Sequence, residues 1–214
     1  RWADRPRAGV TDMPRVAGQI DVSKNEAILD AAVEVMAERG LGASMEEIAR
    51  RACVSKQTIY NHYGSKAELA RAMSERRAHE VAGVLEAPGA IERPEAALAA
   101  YARLLLNAVR NARSMAIYRM AMLAASTMPD VAEAIYEAGP RASRERLAEF
   151  LRIEHAAGRI RAPDPLEAAE FFAGMVMNRF QTKALLGVPF DLCEADVDRI
   201  SAEAVRRFLR AYAP

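Results

Sequence analysis

Four cations, Arg50, Arg51, Lys56 and Lys66, fall between residues 50 and 66 with no acid among them. Hydroxyl and imidazole groups are interleaved with them: Ser55, Thr58, Tyr60, His62 and Tyr63. Side chains of these types donate to phosphate oxygens. A focused patch is what docking on a duplex requires, because phosphate contacts set position while base-edge contacts set sequence preference. The charge is local: the whole chain carries 30 basic and 29 acidic residues, a formal net charge of +1, so a uniformly basic surface is absent. The plainer alternative is a solvated helical face on an unrelated bundle. Catalysis finds no support. His62, His79 and His155 have no Ser, Asp or Cys partner at helical spacing, and glycine-rich phosphate loops and paired metal-ligand motifs are absent. No catalytic residue, metal or cofactor is expected.

The elements that must hold this patch are legible in the run SMEEIARRACVSKQTIYNHYGSKAEL, residues 44 to 69. Ser44 and Glu47 have capping-box spacing, in which each side chain satisfies a free backbone N–H at a helix start. Met45, Ile48, Ala49 and Ala52 then repeat at the spacing of one buried helix face. Cys53-Val54 makes a turn, with Val54 as the plug beneath it. Ser55 caps a second short helix, Lys56 to Tyr63, whose Ile59 faces inward. Gly64 supplies the left-handed residue that ends it. Ser65 and Glu68 form another capping box and open a third helix at once. Two short helices joined by a tight turn, the second bearing the polar side chains, are the layout that seats one helix in the major groove.

The residues Met36, Gly40, Ser44-Met45, Ile48-Ala49, Ala52, Val54-Ser55, Thr58-Ile59-Tyr60, His62-Tyr63, Ser65-Lys66 and Leu69 resemble the N-terminal DNA-binding domain of the TetR family of transcriptional regulators. The resemblance covers about 50 residues. Cys53 stands where the family usually has a turn glycine, which predicts slight strain if the turn needs φ > 0. Met36 and Tyr63 stand where it usually has Phe. The resemblance implies that Lys56, Gln57 and Asn61 meet base edges; lysine suits guanine and glutamine suits adenine. It implies that Thr58, Tyr60, His62 and Lys66 meet phosphates, with Ser44 and Ser55 adding contacts at their helix starts. Tyr63 is open between phosphate contact and core packing. The resemblance further implies a homodimer whose last two helices, near 165–187 and 194–212, form a four-helix bundle with their twofold mates. A twofold dimer sets its recognition helices roughly 34–36 Å apart and reads a near-palindromic operator.

Around this unit, an all-α chain of three parts is expected: a mobile basic arm over 1–22, a helix-turn-helix DNA-binding domain over 23–70 and a larger helical ligand-binding and dimerisation domain over 71–214. The arm carries Arg1, Arg5, Arg7 and Arg15; it reads either as a disordered tail or as a segment lying along phosphates or in the minor groove. Ser23 to Glu26 is a capping box for a helix that buries Ile28, Ala32, Val35 and Met36 and stops at Gly40. A helix from Ser65 to about Glu86 forms the lever between the domains. Further helices are expected over about Pro94–Arg110, Arg113–Ser126, from Pro129, up to Ala157, from Asp164-Pro165 and from Asp191 and Glu194. Gly139-Pro140 predicts a break or a sharp kink.

In the second domain, Met115, Met120, Met122, Met128, Met175 and Met177 lie among aromatic residues. Methionine adapts to varied apolar ligands, and sparse polar groups among apolar walls describe a small-molecule pocket. That such a pocket exists rests mainly on the family resemblance. The expected lining is Tyr101, Arg103, Asn107, Tyr118, Arg119, Met122, Phe171, Met175 and Asn178; ordinary core packing is the alternative. An unidentified small, largely apolar effector would shift the dimer away from its operator-binding state, and repression is the default among relatives.

Half the residues are apolar (51%) and only 6% are aromatic, which favours helices. No run of about 18 uncharged apolar residues exists, so no membrane span is expected. The first residues lack a signal-peptide apolar core, and the two cysteines have no metal-ligand spacing, so a reducing cytoplasm is expected. Only 4 of the 30 basic residues are lysine, a skew common in GC-rich bacteria. Two other readings remain: a redox-responsive regulator acting through Cys53, and a helical bundle that binds no DNA.

Overall fold

The computed structural model describes residues 22–214. The arm expected over 1–22 therefore lies almost wholly outside the described residues. Ten α-helices and no strand occur among those that are described. The order is α1 (Val22–Arg39), α2 (Met45–Arg51), α3 (Lys56–Tyr63), α4 (Lys66–Ala82), α5 (Pro94–Arg110), α6 (Ala112–Ala124), α7 (Pro129–Tyr136), α8 (Ala142–Ala156), α9 (Pro165–Leu186) and α10 (Glu194–Ala211).

The short helices near the N-terminus are fixed by their caps. Ser44 Oγ accepts from Glu47 N at 3.1 Å, Ser55 Oγ from Thr58 N at 3.0 Å and Ser65 Oγ from Glu68 N at 3.1 Å. The Glu47 carboxylate pairs with Arg39 at 3.3 Å. Cys53 adopts φ 55° in the turn, the strained conformation anticipated for a non-glycine residue there. Ile28, Val35, Met36, Ile48, Ile59 and Leu69 are fully buried and join α1 to α4 in one core. Complete burial of a side chain of this size is worth roughly 1.5–3 kcal/mol, enough to fold helices too short to persist alone.

That core does not stop at residue 70. Met73 of α4, Ile117 and Met120 of α6, and Val131 and Ile135 of α7 belong to it as well. Farther along α4, Ala78 is buried, and Val81 and Ala82 enter a second core. This second core is built on α5, α8, α9 and α10 around Tyr101, Phe172 and Phe208. Phe172 and Phe208 meet edge to face at 5.0 Å, and Tyr101 lies 6.3 Å from Phe172. Two helices thus place side chains in both cores, α4 and, through Met115, α6, while α7 packs into the first.

Four boundaries depart from the sequence expectation. Helix α1 already runs at Val22, so Ser23 lies within its first turn. Helix α6 begins at Ala112 because Asn111 Oδ1 accepts from Ser114 N at 3.0 Å. The last helix starts at Glu194, behind an extended Cys193, and Asp191 takes no part in opening it. Gly139-Pro140 breaks nothing. Residues Glu137–Arg141 widen into a π-turn that joins α7 to α8. The wider turn accommodates the proline's missing donor and its bulk without ending the helix.

Candidate nucleic-acid interface and effector cavity

Helix α3 turns Ile59 and Tyr63 inward and leaves Lys56, Gln57, Tyr60, Asn61 and His62 exposed. The exposed groups engage mainly each other. Gln57 Nε2 donates to Asn61 Oδ1 at 2.5 Å, and Ser55 Oγ and Thr58 Oγ1 share a hydrogen bond at 2.8 Å. Lys56 Nζ meets Glu46 at 2.5 Å and hovers 5.5 Å from the centre of the Tyr60 ring. Its hydrogen bond to Glu46 raises the lysine pKa and lowers that of the carboxylate. Such pairs in solvent are easily given up for a phosphate or a base.

Two residues expected at this surface are committed elsewhere. Tyr63 is a packing residue: it is buried, its hydroxyl donates to Asn25 Oδ1 at 2.5 Å, and burial pushes its pKa up to about 12. His62 stacks edge-on against it at 4.5 Å. Lys66 Nζ donates to the Leu41 carbonyl at 2.8 Å, and its partial burial lowers its pKa. One of its three donors is spent within the domain. The acid-free stretch of charge also changes on folding. Arg51 is held by Glu34 at 3.1 Å and Glu38 at 3.0 Å, both from α1, and Arg50 lies 3.9 Å from Glu47. The patch is thus far less cationic than its sequence count of four suggests.

A cavity of about 430 Å³ lies in the larger domain. Helix α4 contributes Arg77, Ala78 and Val81, α5 contributes Tyr101, Leu105 and Val109, and α6 contributes Met115, Tyr118 and Met122. Ile135 and Tyr136 of α7, the π-turn at Gly139-Pro140, Ser143 and Arg144 of α8, and Met177 and Leu185 of α9 close the rest. Tyr101 shares a hydrogen bond with Ser143 Oγ at 2.9 Å. Burial raises the pKa of both Tyr101 and Tyr118, while the positive charge of Arg144 opposes the shift.

Of the residues expected to line a pocket, Tyr101, Tyr118 and Met122 do so. The others sit elsewhere, for identifiable reasons. Arg103 pairs with Glu194 and Asp198 and ties α5 to α10. Arg119 donates to the Ala184 carbonyl at 2.8 Å. The Asn107 Oδ1 atom is buried between other elements. Phe171 and Met175 are on the outer face of α9, 59% and 44% exposed. Asn178 lines a neighbouring space that shares Tyr136, Arg144, Met177 and Gln181 with the cavity.

Residues 28–73 match the family described as "Bacterial regulatory proteins, tetR family". Residues 96–214, more than half the chain, match "AefR-like transcriptional repressor, C-terminal domain". The chain belongs to the TetR family. A TetR-family regulator from Mesorhizobium loti is 26% identical, with a TM-score of 0.75 over 91% of this chain and 100% of that one. The flavonoid-responsive regulator FrrA is 30% identical, with a TM-score of 0.69 over 89% of this chain and 97% of its own. The activator FasR of Mycolicibacterium smegmatis is 47% identical over 62 residues, a stretch that spans only 28% of either chain. Like other TetR-family members, the protein is a DNA-binding transcriptional regulator and not an enzyme. Among the described residues, no cluster of His, Cys, Asp and Glu is arranged to hold a metal, and no helix is long and apolar enough to cross a membrane.

Sequence reasoning missed Arg77, Ser143 and Arg144 at the cavity of this TetR-family chain. Arg144 is one of three arginines on α8, and periodicity alone does not say which of them faces inward. The signal that was present is Gly139-Pro140, which marked an irregularity and proves to be part of the cavity wall.

Proposed function

We propose that this TetR-family protein is a cytoplasmic repressor that binds a near-palindromic operator as a homodimer and is released by a small, largely apolar effector held in the cavity. The observation that carries this reading is the position of Ile135. It lines the cavity and at the same time packs in the core that holds α3. Helix α4 supplies a second connection: it starts just after the recognition helix, and its Arg77, Ala78 and Val81 form a cavity wall. A molecule entering the cavity pushes on elements that set the angle of α3. Release requires that it bind the non-operator state more tightly, by ~5.5 kcal/mol for a near-complete switch.

Dimerisation is supported by the outer face of α9. Phe171 and Met175, one turn apart around Gly174, are apolar and exposed in the single chain. An exposed apolar strip rimmed by polar residues marks a protein contact. Repression is supported by the repressor description that covers residues 96–214, whereas the similarity to the activator FasR is confined to a short segment. On DNA, Lys56, Gln57 and Asn61 face base edges; Ser44, Ser55, Thr58, Tyr60, His62 and Lys66 meet the backbone.

The test begins with an operator selected from random duplexes. Binding is followed by fluorescence anisotropy at increasing concentrations of apolar compounds, flavonoids included because FrrA responds to them. The reading requires two chains per operator and release by at least one compound that protects the cavity residues in hydrogen exchange. Binding of one chain per site, or release without protection of the cavity, contradicts it.

A further inference from the structure

We propose that the cavity takes an apolar carboxylate, with the carboxylate gripped by Arg144. This rests on the reading of the cavity as the effector site and narrows its ligand to one chemical class.

Most arginines of α8 and its flanks are paired with acids. Arg141 pairs with Glu137 and Glu145, Arg146 with Glu86, Arg152 with Glu149, and Arg159 with Glu154. Arg144 differs from all of these: among the described residues it has neither an ion pair nor a hydrogen-bond partner, and it faces the cavity. No Asp or Glu lines that cavity. Glu170 lines the adjoining space together with Arg144. The cavity's second cation, Arg77, gives Nη1 to Glu80 at 3.0 Å, and its Nε is buried with no partner. Two guanidinium groups thus border an apolar space, and neither Glu80, which pairs with Arg77, nor Glu170 lines the cavity itself.

A partly buried cation that borders an apolar space with no acid in its lining is stabilised when an anion joins it. A carboxylate supplies two acceptor oxygens in the planar geometry that a guanidinium matches with paired hydrogen bonds. The hydroxyls of Tyr101 and Ser143, already bonded to each other at 2.9 Å, lie at the same end and can take up a remaining lone pair. Met115, Met122, Met177, Leu105 and Leu185 surround the rest of the space and suit a flexible hydrocarbon body. A neutral alcohol of equal length fills that body but leaves Arg144 unpaired.

The test is calorimetric titration of the full chain with sodium octanoate, with 1-octanol and with the flavonoid naringenin. Octanoate is expected to bind at least ~10-fold more tightly than 1-octanol, the discrimination a desolvated charge pair provides. In Arg144→Gln that preference disappears through loss of octanoate affinity, while 1-octanol binding is unchanged. Arg144→Lys keeps the charge and most of the preference, which separates charge recognition from damage to the fold. The proposal is overturned if 1-octanol binds as tightly as octanoate, or if Arg144→Gln weakens both equally. Binding of naringenin alone overturns it too, yet leaves the effector cavity standing. Failure of all three probes to bind removes the cavity reading along with the proposal.

Discussion

The recognition unit and the cavity solve opposite problems with the same kind of helix. In the recognition unit the working side chains sit within 23 consecutive positions, from Ser44 to Lys66, on helices whose ends are fixed by their own serines. Its polar groups are exposed and weakly engaged with one another. In the cavity the walls come from α4 to α9, from Arg77 to Leu185, and the polar groups are few, with Tyr101 and Ser143 buried. A surface that must exchange partners with DNA keeps its bonds in solvent, where they are cheap to replace. On the proposed reading, the cavity discriminates among molecules because an unmet bond at a buried polar group such as Tyr101 or Ser143 carries a penalty.

The sharpest way to break this comparison is to cut each core. Phe172→Ala removes a fully buried ring from the larger core and is expected to cost ~3–5 kcal/mol; Ile59→Ala is expected to cost ~2–5 kcal/mol in the smaller one. Because α4 and α6 place side chains in both cores, thermal denaturation should stay a single transition in both variants. Two resolved transitions in Ile59→Ala would show that the cores melt separately and that the shared helices transmit nothing.

A smaller effect separates surface chemistry from packing. Gln57→Ala should leave the melting temperature within a degree or two of wild type, while weakening binding at the preferred operator by ~1–3 kcal/mol and relaxing preference at one base pair. A selection experiment that returns an unchanged operator from Gln57→Ala removes that residue from base readout. The smallest effect is expected at Cys53. With φ at 55°, replacement by glycine relieves strain of ~1–2 kcal/mol but adds unfolded-state freedom worth ~0.5–1 kcal/mol. Cys53→Gly should therefore raise stability slightly, by ~0–1.5 kcal/mol in denaturant titration. A clear loss of stability would mean that the thiol makes packing contacts worth more than the strain.

The same contrast explains what the chain revealed before folding. Serine caps, an inward Ile59 and a glycine at residue 64 are local signals, each decided by a neighbour three or four residues away, and they placed the start of α2 and both ends of α3. Tyr63 and Lys66 were harder, because their partners Asn25 and Leu41 come from another helix and from the turn before α2. The all-α architecture and most starts in the larger domain followed from proline and aspartate signals such as Asp164-Pro165. The cavity did not follow. Arg103 and Arg144 are chemically identical, and only the tertiary fold gives one of them Glu194 and Asp198 while leaving the other against an apolar space. Phe171 and Phe172 are adjacent, and the helix turn sends one outward and one into the core.

The claim that everything else serves is that the contents of the cavity set the angle of α3. Ala121→Phe tests it without knowledge of the effector, because Ala121 lines the cavity and the added ring can occupy the empty space. The measurement is operator affinity by fluorescence anisotropy, alongside circular dichroism to verify helix content and a dye that fluoresces in apolar cavities to verify filling. The account predicts an operator affinity at least ~10-fold weaker, equivalent to ~1.4 kcal/mol, in a protein that is folded and no longer admits the dye. A folded, filled protein that binds its operator as tightly as wild type would contradict it.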